Sequence, residues 1–101
     1  AIKVEFIPTE ISISQNYPNP FNPITTIKYW LNIEANSKIV VYNSLGQEIE
    51  VLLNNIQTAG NYSINWNAEN YASGIYFYSF EVSDQNTNLL HKEMKKLILI
   101  K

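Results

Sequence analysis

Proton-transfer chemistry has few carriers in this sequence: one histidine (His91), one aspartate (Asp84), eight glutamates and no cysteine. Ser79 or Ser83 with Asp84 and His91 supplies the residue types of a Ser/His/Asp triad. All of them fall in one stretch near the end of the chain, and neither serine sits in a strand-to-helix elbow that would expose a nucleophile. A metal would have only His91 and Glu93, two positions apart on one strand face, and two ligands do not make a site. No loop carries the acidic spacing of a calcium loop. Gly46, Gly60 and Gly74 stand in three separate turns ahead of strands, so they form no phosphate cradle at a helix start. The residues argue against an enzyme, and they imply no cofactor and no metal.

Binding chemistry is better supplied. Trp30, Trp66, Tyr71, Tyr76 and Tyr78 are the residue types of a platform for sugar rings, although such rings commonly fill the core of a small domain instead. Trp30 is the best placed for exposure, because Ile27, Tyr29 and Leu31 define the opposite face of its strand. The most constrained stretch is Gln15-Asn16-Tyr17-Pro18-Asn19-Pro20-Phe21-Asn22-Pro23. Its prolines fix φ and remove three backbone donors, and they push Tyr17, Asn19 and Asn22 into extended backbone. The asparagines bond their own backbone locally. The sequence predicts a stiff extended segment, with Tyr17 and Phe21 buried as anchors and Asn16, Asn19 and Asn22 exposed. A preformed segment of this kind binds a partner at little ordering cost. The second candidate is Lys95-Lys96-Leu97-Ile98-Leu99-Ile100-Lys101, an apolar strand that must be tied into a sheet or read by a partner.

These segments need a scaffold, and alternation with period two supplies it. Ile2, Val4 and Phe6 alternate before Pro8, and Ile11 to Ser14 alternate again. Ile27, Tyr29 and Leu31 face away from Thr26, Lys28 and Trp30. A hairpin is expected over residues 38–53, turning at Asn43-Ser44-Leu45-Gly46. Tyr62, Ile64 and Trp66 form the next strand. Residues 75–82 are apolar on both faces, the mark of a strand inside a covered sheet. A polar turn over residues 83–88 leads to a last strand over residues 89–100. Seven to eight short strands separated by turn signals predict an all-β antiparallel sandwich.

Composition sets the class. The chain is one domain long, with net charge −2, fourteen asparagines, no arginine and 16% charged residues. That charged fraction is low against about 25% in average soluble domains, and with the missing arginine it leaves no nucleic-acid footprint. Lys92, Lys95, Lys96 and Lys101 crowd the last ten residues. No apolar run reaches the length of a transmembrane helix. Residues 1–6 alternate rather than forming an apolar core, so a signal peptide, if the protein is exported, lies upstream. The Asn- and Tyr-rich, Arg-free composition leans toward an extracellular module.

Five motifs in order carry a family resemblance over residues 11–101. They are Gln15–Pro23 with Thr25-Thr26-Ile27, Val41–Ile49, Ala59-Gly60-Asn61-Tyr62 with Trp66, Ala72–Tyr78, and Lys95–Lys101. Together they resemble the type A C-terminal sorting domain of type IX (Por) secretion cargo proteins. The chain departs from the family pattern at Asn67 (usually Asp), at Tyr71 (commonly Leu) and in a longer 83–93 stretch. The resemblance implies an immunoglobulin-like sandwich that directs an upstream cargo across the outer membrane to the cell surface. It implies, as partners, an outer-membrane translocon and a sortase-like protease that cuts near or before Ile11. Residues 1–10 are then an upstream linker or an extra edge strand. Two other readings stand beside it. One is a filament or layer subunit that self-associates by strand addition through residues 1–6 and 97–100. The other is a carbohydrate-binding module built on Trp30 and the tyrosines.

Overall fold

The computed structural model describes residues 10–101. The alternating residues 2–6 and their proposed linker or edge-strand role lie outside them. Seven strands are present among the described residues: β1 (Ser12–Ile13), β2 (Ile24–Leu31), β3 (Ala35–Tyr42), β4 (Glu48–Gln57), β5 (Gly60–Asn67), β6 (Gly74–Ser83) and β7 (Leu89–Leu99). They form a three-stranded sheet in the order β1-β2-β5 and a four-stranded sheet in the order β4-β3-β6-β7. Every strand pair is antiparallel. The expected all-β, immunoglobulin-like sandwich is the fold found.

Alternation decides which side chains meet between the sheets, because successive residues of a strand point to opposite faces. From β2 the core takes Ile27, Tyr29 and Leu31; from β3 Ile39 and Val41; from β6 Tyr76, Tyr78, Phe80 and Val82; from β7 Leu97 and Leu99. Phe80 packs on Tyr29, which stacks on Tyr62, both pairs at 5.3 Å between ring centres. Residues 75–82 lie inside a sheet, as their two-sided apolarity predicts. The cover on the outer face is incomplete, however: Ile75 is exposed there, while Ser79 is buried.

Turn chemistry fixes the connections. Asn43 Oδ1 accepts from the backbone N–H groups of Leu45 and Gln47, both at 3.0 Å, and Gly46 takes φ 82°, a conformation that costs glycine nothing. The β6–β7 hairpin closes through Asp84, whose carboxylate accepts from the backbone of Asn86 and Asn88 at 2.9 Å. Its register runs from Gly74 opposite Leu99 to Ser83 opposite Leu89, with one shift between Val82 and Ser83.

Candidate functional site

Strand directions gather distant parts of the sequence at one end of the sandwich. The β1–β2 loop with its prolines, the β3–β4 turn with Gly46, the β5–β6 loop leading to Gly74, and the end of β7 all lie there. Gly60 starts β5 at the opposite end.

The proline segment is a hairpin loop, and it lies on the outer edge of β7. Tyr17 and Thr26 exchange backbone bonds of 2.9 Å, closing the hairpin. Beyond Tyr17 the loop crosses to the other sheet, where Phe21 bridges Leu99 in parallel. Phe21 N–H donates to Ile98 O at 3.0 Å, and Ile100 N–H donates to Phe21 O at 2.9 Å. Asn19 Oδ1 accepts from Ile98 N–H at 3.0 Å, and Gln15 Nε2 donates to Lys96 O at 2.7 Å. The expectation of an extended ribbon is corrected here. The segment bends through successive turns, and all three X–Pro bonds are cis.

The burial expected within the segment is also corrected. Phe21 is buried as expected (2% exposed), but Tyr17 is 81% exposed, and Asn16 is the buried residue at 2%. Asn16 goes inside because its amide is fully used there. Its Nδ2 donates to Thr25 Oγ1 at 3.0 Å and Pro18 O at 3.1 Å, and its Oδ1 accepts from Gln15 Nε2 at 2.6 Å. Thr25 Oγ1 donates to Pro18 O at 2.8 Å, completing the loop's internal network. Pro18, Asn19, Pro20 and Asn22 stay exposed, and Pro23 is half-buried with its carbonyl accepting from Ala68 N–H.

Beneath the loop lies an aromatic floor. Phe21 meets Trp66 at 5.7 Å, and Trp66 meets Tyr71 at 5.6 Å and Tyr76 at 5.7 Å. Tyr78 fastens the loop's approach from the core. Its hydroxyl donates to Ser14 O at 2.7 Å, and burial pushes its pKa up to about 12, partly offset by a bond from the Asn16 backbone. Trp66, Tyr76 and Tyr78 are therefore core residues, so the five-ring platform does not assemble; Tyr71 is half-buried with its hydroxyl on Glu50 at 2.9 Å.

In the last strand Leu97 and Leu99 point into the core. Lys95 lies 3.0 Å from Glu93, and Lys96 and Ile100 are exposed. Lys101 N–H donates to Ser73 Oγ at 2.9 Å, and its ammonium donates to Glu69 O. Residues 97–100 are thus held by β6 on one side and by the proline loop on the other. They are not the open end that strand addition requires.

The triad residues stay apart in role. Asp84 organises its turn, whose N–H groups hold the carboxyl below its ordinary range. His91 bonds Glu93 at 2.9 Å, and Ser79 Oγ lies 3.5 Å from Tyr42 Oη. No group of three or more acidic or histidine side chains converges on a metal position among the described residues. No described helix is long and apolar enough to cross a membrane, which says nothing of β-barrels.

A family model described as a secretion system C-terminal sorting domain matches residues 15–99, from the proline segment to the end of β7. Among solved structures, CopC from Methylosinus trichosporium OB3b shares the fold. It aligns with TM-score 0.53 and 12% identity, covering 89% of this chain and 93% of that one. No curated protein matches the chain.

Proposed function

We propose how one end of this domain is read, given that the chain belongs to the secretion system C-terminal sorting domain family. As such it carries a sorting signal for type IX secretion, and its destination is the cell surface or extracellular space beyond the outer membrane. The family is non-catalytic. Interaction with the secretion machinery follows from membership.

The finer reading is that the proline loop and the last strand act as one signal. It rests on the backbone exchange between Phe21 and Ile98–Ile100, together with Asn19 on Ile98. Residues 16–23 and 95–101 are 72 positions apart at their nearest (95 less 23) yet share one edge, so a partner meets both at once. The outward groups are the Tyr17 ring, Pro18, Asn19, Pro20, Asn22, Ile100 and Lys101, all on a rigid frame that loses little freedom on binding. In this reading an outer-membrane translocon reads that end. A sortase-like protease then cuts near or before Ile11, on the side of the upstream cargo. Residues 11–101 form the sorting unit.

The test uses a cargo protein fused ahead of the chain in a type IX-competent bacterium. Tyr17→Ala with Lys101→Gln changes exposed groups only and should leave folded protein in the periplasm. Surface display at the parental level by a variant with parental Tm would refute the reading.

A further inference from the structure

The outer face of the three-stranded sheet shares Tyr17 with the sorting end and otherwise lies apart from it, and its residue types form a pattern. Register places Ser12, Trp30 and Asn61 in one row, and Lys28 and Ser63 in the next with Ser14 beside them. Tyr17, Thr26 and Asn65 make a third row. Two adjoining clefts run along this face. One is lined by Trp30, Asn61 and Ser12, the other by Tyr17, Thr26 and Gln15, and both share Ser14 and Lys28.

We infer that this face is a binding groove for an acidic oligosaccharide. Trp30 and the Tyr17 ring mark its two ends. Four residue steps along β2 carry the chain from Thr26 to Trp30, about 13 Å at strand rise, the reach of a short sugar chain. Aromatic rings present flat apolar faces with a polar edge, suited to the alternating C–H and O–H surface of a sugar. Between them lie hydroxyl and amide groups, which both donate and accept. Asn65 is already oriented, because its Oδ1 accepts from Thr26 Oγ1 at 2.7 Å. Lys28 is the only charged side chain in these rows, and it sits where the clefts join. One cation centred in a neutral amide–hydroxyl face selects a carboxylate-bearing sugar over a neutral one.

This site differs from the platform read from sequence. It keeps Trp30 and replaces the core residues Trp66, Tyr76 and Tyr78 with Tyr17, the one residue it shares with the sorting end; Trp30 and Lys28 lie outside that end, so their variants separate the two roles. The full chain is run in native gels cast with polygalacturonate, a uronic-acid polymer, and with a neutral β-glucan. The acidic gel should retard the protein and the neutral gel should not. Trp30→Ala and Tyr17→Ala should each weaken retention about three- to tenfold. Lys28→Gln should abolish it, while Lys92→Gln on the other sheet should leave it unchanged. Parental Tm confirms folding of each variant. Absence of retardation, equal retardation in both gels, or equal loss with Lys92→Gln would overturn the assignment.

Discussion

Replacing Phe21 by Ala tests whether the proline loop is fastened by its one buried ring. The side chain is 2% exposed and packed on Trp66, so truncation removes a core aromatic and leaves a void under a loop that cannot easily collapse. Phe→Ala losses in cores run about 3–5 kcal/mol. The loss is a large share of the roughly 5–15 kcal/mol that holds a domain together. At about 4–8 °C per kcal/mol for a domain of this size, Tm should fall by at least about 12 °C. Urea unfolding followed by tryptophan fluorescence gives the free energy. Hydrogen exchange at the Ile98 and Ile100 amides reports the edge, since those N–H groups donate to Asn19 and Phe21. Both should exchange faster than in the parent, relative to amides bonded between β6 and β7. Tyr17→Ala, at an 81% exposed ring, should stay within about 0.5 kcal/mol. A Phe21→Ala loss under about 1 kcal/mol, or unchanged Ile100 protection, would refute the docked-loop reasoning.

Asn16→Ala should cost about 1–3 kcal/mol by removing a buried amide, and a double-mutant cycle with Thr25→Ala should show coupling of about 0.5 kcal/mol or more in urea midpoints. Tyr78 ties alkaline stability to the same loop. Its folded pKa of about 12 lies above the ordinary 10.0, so its contribution is complete below pH 10 and is lost as pH rises toward 12; in urea titrations Tyr78→Phe should be less stable at neutral pH and flatter across that window. Glu93 gives the acid counterpart. Burial raises its pKa, but the bonds from His91 and Lys95 outweigh this and hold it below the ordinary 4.5. Its contribution is present above that value and disappears as pH falls through the lowered one, and thermal melts of Glu93→Gln should lack that share of the acid loss.

Strands were legible because burial on one face writes itself as alternation, clearly so at Ile27, Tyr29 and Leu31 and at Leu97 and Leu99. Alternation is silent where both faces are apolar, so in residues 75–82 it did not separate the core rings Tyr76 and Tyr78 from candidate binding rings. Side-chain polarity misled at Asn16 and Tyr17. The two exchange places because the amide finds three partners inside, while the loop's turn carries the phenol out. The pairing of Asn16 with Thr25, nine positions apart, was the available signal. Contact between the loop and β7 had none, because it is made mostly through backbone N–H and C=O groups, which every residue carries. The outer-face rows became visible only with register, since the β1–β2–β5 pairing places Asn61 and Asn65 beside Trp30 and Thr26.

An edge strand at the end of a sheet invites pairing with another chain, and natural sandwiches cover such edges. Here the cover over residues 96–100 consists of the bonds from Gln15, Asn19 and Phe21, with Phe21 anchored below. A partner that added its own strand there would first break these four bonds, at about 0.5–1.5 kcal/mol each. It would also expose Phe21, at about 1.5–3 kcal/mol. The sum, about 3.5–9 kcal/mol, is a large share of the stability of a whole domain. A partner that binds the end as it stands meets the exposed Tyr17 ring, the outer prolines and Lys101 without that cost. On the proposed reading, then, this end is recognised closed, with the prolines shaping the surface and the last strand under its cover.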